Sequence, residues 1–502
     1  MKLPRFAAPL VAAIFAVTLH RPVTAGVEPA NWPQFRGPNG SGLSPDDKPA
    51  PTHFGPDTNR LWQTELPRGH SSPCIWGDRI FVTGFDATNK ALQTICLDRA
   101  SGKVLWRKAA PSVFLEKSMH EFNSPAASTP ATDGAGVYVH FGGYGALAYD
   151  FKGEELWKRP LPMPPTDYGN ASSPIAYDGL VLLQRDGNGT NSHVLALDGK
   201  SGQIRWTVER PLHRESYSTP MLWRHDGITE LVTVGNGRLD AYDARDGAAR
   251  WWTSGLSFFP IAVAVAGDGM LFASSAGAGS ESEPPYIDSW EEILGKFDKN
   301  KDGKVDKDEV PEKATFHWRK SVPAEIEGNT LSYRWLLFTF FDADKDGVFT
   351  TEDWKGVREF TAKNPNSVMA IRPGGSGNVS KSHVAWKGTR GIPDMPSPLH
   401  YRDRLYLMMD GGMLTSYDAS TGKLVMDRER VGLTSQFAAS PVASGGNLYL
   451  ASVPGKVAVV KAADTLEVLA INDLKERIIA TPAVLEGRIY IRSEYHLSAF
   501  GP

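Results

Sequence analysis

A chain of 502 residues with 54 basic and 57 acidic side chains carries a formal net charge of -3, which excludes the concentrated positive charge that nucleic-acid binding requires. At 41% hydrophobic and 22% charged it has the composition expected of a soluble globular protein. After the first 25 residues no stretch stays apolar for the roughly 20 residues of a spanning helix, so no transmembrane segment is expected.

The chain begins with Lys2 and Arg5, an apolar run from Phe6 to Leu19, and then Val23, Thr24 and Ala25. This order of charge, short apolar run and small residues predicts an export signal, cut near Ala25 to leave a periplasmic or secreted protein. The alternative is an uncleaved anchor. Residues 26–60 follow, containing NWPQFRGPNGSG from Asn31 to Gly42. Trp32, Phe35 and the prolines are poor linker residues, so this segment is expected to pack on the rest of the chain. Gly37–Gly40 lacks the Lys-Ser/Thr ending of a phosphate loop.

Leu61 to Leu66, LWQTEL, reads as an outermost strand with no inner strands before it. A full unit comes next. In Leu92–Trp106, LQTICLDRASGKVLW, a β-rich run meets Asp98, which can bond its own backbone, then Gly102, which can take positive φ, and a second strand ends on Trp106. The frame returns at Asp198, Gly202, Trp206 and at Asp243, Gly247, Trp251, and one residue shorter at Asp150, Gly153, Trp157. Asp418, Gly422 and Met426 keep the turn without the aromatic, and Lys461 to Leu469 keeps neither Asp nor Gly. Trp62, Trp106, Trp157, Trp206, Trp251 and Trp386 are each expected to lie against the neighbouring unit.

A second marker, Pro after small or aromatic residues, stands at Pro73, Pro130, Pro174, Pro220, Pro260, Pro398, Pro441 and Pro482. Its gaps of 57, 44, 46, 40, 138, 43 and 41 residues stay close to the roughly 40 to 50 residues of a propeller blade, the 57 slightly longer, except that of 138. The last unit supplies only three strands, and Leu61–Leu66 can be its fourth. The expected fold is therefore all-β, an eight-bladed propeller over residues 61–277 and 366–502, closed by its two ends. Cys74 and Cys96 fall in the first and third strands of one blade, roughly 10 Å apart, too far for a disulfide.

The gap of 138 holds two 12-residue loops with the spacing of EF-hands, in an insertion spanning 278–365. The first, DKNKDGKVDKDE, places Asp298, Asn300 and Asp302 at positions 1, 3 and 5, Gly303 at 6, the Lys304 carbonyl at 7, Asp306 at 9 and Glu309 at 12. The second, DADKDGVFTTED, places Asp342, Asp344 and Asp346 likewise, then Gly347, the Val348 carbonyl, Thr350 and Asp353. Hard oxygen donors at this spacing suit calcium, so two calcium ions are the expected cofactors. Ile287, Trp290, Leu294 and Phe297 precede the first loop on one helix face, and Trp354, Val357 and Phe360 follow the second.

Met270–Ala276 reads as the second strand of blade five and Ser367–Ile371 as its third, so the insertion overhangs the face opposite the Asp/Gly turns. Loops on that face carry Met119, His120, Tyr168, His213, Phe258, Phe259 and Phe437, a mixed set suited to a partner or ligand.

AYDFKGEELW, ALDGKSGQIRW and CLDRASGKVLW resemble the pyrroloquinoline-quinone-like (PQQ-like) propeller repeat. That superfamily contains both quinone-dependent alcohol dehydrogenases and the non-catalytic lipoprotein of the outer-membrane β-barrel assembly machine. The opening WPQFRGPNGSG, the GHSSP of Gly69–Pro73 and the ending IIATPAVLEGRIYIRS are most similar to exported PQQ-like proteins of unassigned activity. The dehydrogenases carry adjacent cysteines over the quinone and longer blades; here Cys74 and Cys96 stand apart and the blades are short. The resemblance therefore implies a monomeric binding or scaffold module for a protein or other macromolecule, with no catalytic residue and no quinone. A diverged quinone-dependent oxidoreductase is the alternative.

Overall fold

Strand, Asx turn and strand recur through the molecule as expected from the Asp/Gly frame, with Asp98 Oδ1 accepting from Ser101 N at 2.8 Å and Asp198 Oδ1 accepting from Ser201 N at 2.9 Å. The computed structural model describes residues 30–502, apart from 112–114, 116–118, 190, 258–259, 278–287, 318–321, 323–325 and 327–329. The predicted signal sequence, Phe258, Phe259 and Ile287 lie outside the described residues.

Among the described residues, seven four-stranded antiparallel sheets and one sheet of five strands form an eight-bladed propeller. Blade one runs Cys74–Trp76, Arg79–Asp86, Ala91–Asp98 and Val104–Ala109. Blade eight joins the two ends of the chain: Arg60–Glu65 pairs antiparallel with His496–Phe500, matching Trp62 to Ala499 and Thr64 to Leu497. The fifth sheet contains Val265–Gly267, Met270–Ser275, Ser367–Ile371 and Val384–Gly388 in that order, so residues 276–366 lie between its second and third strands. Gly377–Asn378 adds a parallel strand to the outer edge of blade four.

The proline marker has a physical basis in the residue before it. Thr129 Oγ1 accepts from Ser72 N, Ser173 Oγ from Thr129 N and Thr219 Oγ1 from Ser173 N, at 2.9, 3.0 and 3.0 Å. Ser397, Ser440 and Thr481 continue the relay, accepting from the backbone N of Val263, Ser397 and Ser440 at 2.9, 3.0 and 3.0 Å. Each hydroxyl satisfies a buried amide of the preceding blade, worth about 1 kcal/mol per bond. The relay also corrects one expectation. Blade five does not start at Pro260: Val263 takes the place that Ser or Thr holds elsewhere, and the strand opens at Val265.

Trp62, Trp106, Trp157, Trp206 and Trp386 each lie on a glycine of the next blade's turn, whereas Trp251 donates its indole N–H to Glu230 of its own blade. A Cβ on Gly102 would come within 2.4 Å of the Trp62 ring, on Gly202 within 2.6 Å of Trp157, and on Gly422 within 2.5 Å of Trp386. The indole N–H groups of Trp62, Trp157 and Trp386 donate to the carbonyls of Arg99, Gly199 and Ala419 on those same turns. Gly and Trp are thus one contact written at two places in the repeat. Where the blade-six position is Met426, the facing turn of blade seven needs no Gly and has none.

The amino-terminal segment crosses the ring between the first strands. Trp32 exchanges both backbone bonds with Ile75, Thr132 N donates to Pro33 O, the Arg36 guanidinium donates to Pro398 O, and Gly42 O accepts from Ala443 N. It therefore touches blades one, two, six and seven, with Trp32 and Arg36 fully buried. Burial without a carboxylate partner lowers the Arg36 pKa to about 9.

Both cysteines are free and buried, and Phe81 pairs with each across the ladder, so one strand separates them. Desolvation raises the Cys96 thiol to about 12 and Cys74 higher still, leaving two inert core thiols.

Candidate metal centre

The residues ahead of the first loop form helix α1, Trp290–Phe297, because Ser289 caps its start while Glu292 reaches back in a capping box. Trp290, Ile293 and Phe297 bury one face, and Asp298 N closes the last turn onto Leu294 O. After the second loop, helix α2, Thr351–Lys363, starts on an equivalent box from Thr350 and Asp353 and buries Val357. Between the loops Val305–Asp306 and Val348–Phe349 pair antiparallel, matching Val305 to Phe349, which sets the loops side by side. Trp290, Phe297, Val305, Leu337, Phe349 and Val357 share one small core.

Within each loop the backbone turns at the sixth residue, where Gly303 and Gly347 hold φ of 83° and 82°. Asp298 Oδ2 accepts from Gly303 N at 3.0 Å and Asp342 Oδ2 from Gly347 N at 3.0 Å, so the first acid of each frame spans its own turn. The last acid closes the frame. Glu309 accepts from Asp306 N at 2.9 Å and from Lys299 N at 3.0 Å, and these backbone donors, Asp306 first, lower its pKa. Asp353 accepts from Thr350 N at 2.9 Å and from the Thr350 hydroxyl at 2.8 Å.

The two loops differ in how their acids stand. In the first, Asn300 Nδ2 donates to Asp302 Oδ2 at 3.1 Å, and Asp306 is the second residue of the short strand. In the second, oxygens of Asp342, Asp344 and Asp346 all lie within 4.8 Å of one another. Asp342 is only 4% exposed and its Oδ1 has no protein partner, while Asp344 and Asp346 face solvent. A buried carboxylate oxygen without a donor is costly, and three carboxylates at this separation repel; one divalent cation relieves both. Lys304 and Val348 stand at the carbonyl position of each frame, and Asp306 and Thr350 at the ninth.

The other residues expected on the same face do not form one surface. His120 and Tyr168 are exposed and meet edge to face at 5.8 Å. His213 and Phe437 are buried instead. His213 Nε2 lies 2.7 Å from Asp240, inside a network in which Arg210 bonds Asp186 at 2.9 Å between blades three and four. Surrounding carboxylates raise the Arg210 pKa against desolvation. Sequence patterns gave no sign of this cluster, because its members come from different strands.

The sequence model of the family described as "Outer membrane protein assembly factor BamB" matches residues 52–225, which span the first three blades and the opening of the fourth. No curated protein matches the chain. The structure of BamB from Moraxella catarrhalis is similar over 88% of this chain and 98% of that one, with 10% identity and a TM-score of 0.51. Quinohemoprotein alcohol dehydrogenase from Comamonas testosteroni is similar over 94% of this chain and 81% of that one, with 12% identity and a TM-score of 0.53. The computationally designed Ika8 protein covers 88% of this chain over its whole length at 9% identity, with a TM-score of 0.53. At such identities the shared feature is the propeller itself, a ring that hosts an assembly factor, an oxidoreductase and a designed protein alike.

Proposed function

We propose that the chain is an exported, calcium-binding propeller that acts as a non-catalytic binding or scaffold module. Its insertion is an EF-hand pair in blade five, with Asp298, Asn300, Asp302, Lys304, Asp306 and Glu309 serving one ion. Asp342, Asp344, Asp346, Val348, Thr350 and Asp353 serve the other. The observation that carries the calcium reading is Asp342, a buried carboxylate whose Oδ1 has no protein partner and which shares a 4.8 Å cluster with Asp344 and Asp346. Oxygen donors in two 12-residue frames, joined by a short β-pair, are what calcium requires.

The scaffold reading draws on the match to an outer-membrane assembly factor family, and export on the pattern of residues 1–25. No helix among the described residues is long and apolar enough to cross a membrane. The partner is a protein or another macromolecule on the face that carries residues 276–366.

Terbium provides the test, since it takes calcium sites and is sensitised by nearby indoles. Trp290 and Trp354 stack at 6.4 Å beside the loops. Excitation of tryptophan should yield terbium emission that calcium displaces and that Asp298→Asn with Asp342→Asn removes. Emission that is absent, or indifferent to calcium, contradicts the reading. Supplied with quinone and calcium, the protein should reduce no dye from alcohols or aldose sugars; robust turnover would assign it the oxidoreductase alternative.

A further inference from the structure

The two helices that lead into the loops should be alike, and their last turns are not. Ahead of the first loop, Asp298 N donates to Leu294 O, four residues back, at 3.0 Å. Ahead of the second, Asp342 N donates to Leu337 O, five residues back, at 2.8 Å. The whole stretch Trp335–Phe341 is a π-helix. Such runs are poorer in hydrogen-bond geometry than α-helix, usually last a single turn, and are found mostly where a site needs them.

The extra residue in the turn changes what the aromatics do. Phe297, immediately before the first loop, is buried and meets Tyr333 edge to face at 4.9 Å. Phe341, immediately before the second, is only half-buried and lies against Phe340 and Phe360 at 4.9 and 5.5 Å. Trp335 and Phe340 remain 42% and 44% exposed and touch each other at 5.6 Å. Five residues before each loop the pattern agrees, with Ile293 and Leu337 both fully buried. That position is common to both helices, but the faces differ on either side of it: Leu336, six residues before the second loop, is buried where Glu292 is exposed, and the five-residue closure ends next to the acid with the unpartnered oxygen.

We propose that cation binding at the second loop converts this turn from five-residue to four-residue closure, so that Asp342 N moves from Leu337 O to Phe338 O. Drawing the Asp342 carboxylate toward Asp344 and Asp346 pulls its backbone in the same direction. Phe341 then takes the buried position that Phe297 already holds, and Trp335 changes its surroundings. The first loop, already closed four residues back, moves little. The second loop is the moving one, and the cation favours the four-residue register because that register presents Asp342 to it better. This inference rests on the calcium reading.

Fluorine NMR of the full chain labelled with 5-fluorotryptophan tests it, with Trp335→Phe identifying the resonance. On calcium titration the Trp335 resonance should shift in step with filling of the second loop. The shift should persist in Glu309→Gln and vanish in Asp342→Asn. Deleting Thr339, which removes one residue from the turn, should place the Trp335 resonance at its calcium position without calcium. Hydrogen exchange at the Asp342 amide, which should slow with calcium in the unaltered chain, gives a readout independent of any variant. Calorimetry that shows the second loop filling while the Trp335 resonance and the Asp342 amide stay unchanged overturns the inference and leaves calcium binding standing. Absence of any calorimetric binding removes the calcium reading, and the inference with it.

Discussion

Trp157→Ala should destabilise the propeller by about 3–5 kcal/mol, the range for deleting a buried Trp or Phe side chain. Trp157 lies on Gly202 of the next blade, donates its indole N–H to Gly199 O at 2.8 Å and stacks on Tyr138 with ring centroids 6.3 Å apart. Removing it leaves a gap between blades two and three and strands the Gly199 carbonyl. Gly202→Ala attacks the same contact from the other side. Its φ of 67° already disfavours a side chain, and the added methyl would fall 2.6 Å from the indole. Backbone strain of about 1–2 kcal/mol and overpacking of about 1–3 kcal/mol together give a cost of about 2–5 kcal/mol. Because both substitutions break one interaction, the double variant should cost less than the two single costs together. Urea unfolding measures all three. Single variants within 0.5 kcal/mol of the parent, on the order of an ordinary surface substitution, would remove this contact from the account.

Deleting Arg60–Glu65 should have the second large effect. That strand is the fourth of blade eight and pairs along His496–Phe500, so its loss opens a sheet edge and breaks several backbone bonds worth about 1 kcal/mol each. It also removes Trp62 from Gly102 of blade one, and with it the Thr64 hydroxyl that donates to Gly102 O at 2.7 Å. The truncated protein should melt several degrees lower and sediment as oligomers. A monomer with an unchanged melt would show that the ring is held by other contacts, of which the segment around Trp32 and Arg36 is the foremost.

The ring was legible in the sequence because its contacts are local and repeated. Asp98, Gly102 and Trp106 sit within one hairpin, so the physics of the turn appears as a spacing. The blade-five start was misplaced because Val263 and Ala264 replace the hydroxyl and proline of the other blades, leaving Pro260 as a decoy in the link before the strand. The path of Asn31–Gly42 across the ring was not readable either, since Ile75, Pro398 and Ala443 meet it from blades far apart in the chain. His213 and Phe437 looked like surface because they lie in links between blades, yet burial there is decided by neighbouring strands. The two 12-residue loops are the opposite case: every residue proposed as a cation ligand lies within one short frame, so the expectation could be formed from spacing alone. What spacing could not reveal is the five-residue closure before Asp342, which depends on how Phe340, Phe341 and Phe360 pack together.

The central claim, that these loops bind calcium, is tested most directly by calorimetric titration of the full chain together with Glu309→Gln and Asp342→Asn. Glu at position 12 reaches the ion with both oxygens, whereas Asp353 is one methylene shorter, so the first loop should bind more tightly. Extracellular modules work with dissociation constants of roughly 10⁻⁴ to 10⁻³ M, and the second loop should fall in or near that range. The titration should resolve two unequal events, with Glu309→Gln abolishing the tighter and Asp342→Asn the weaker. No heat of binding, or binding that neither substitution alters, would contradict the account.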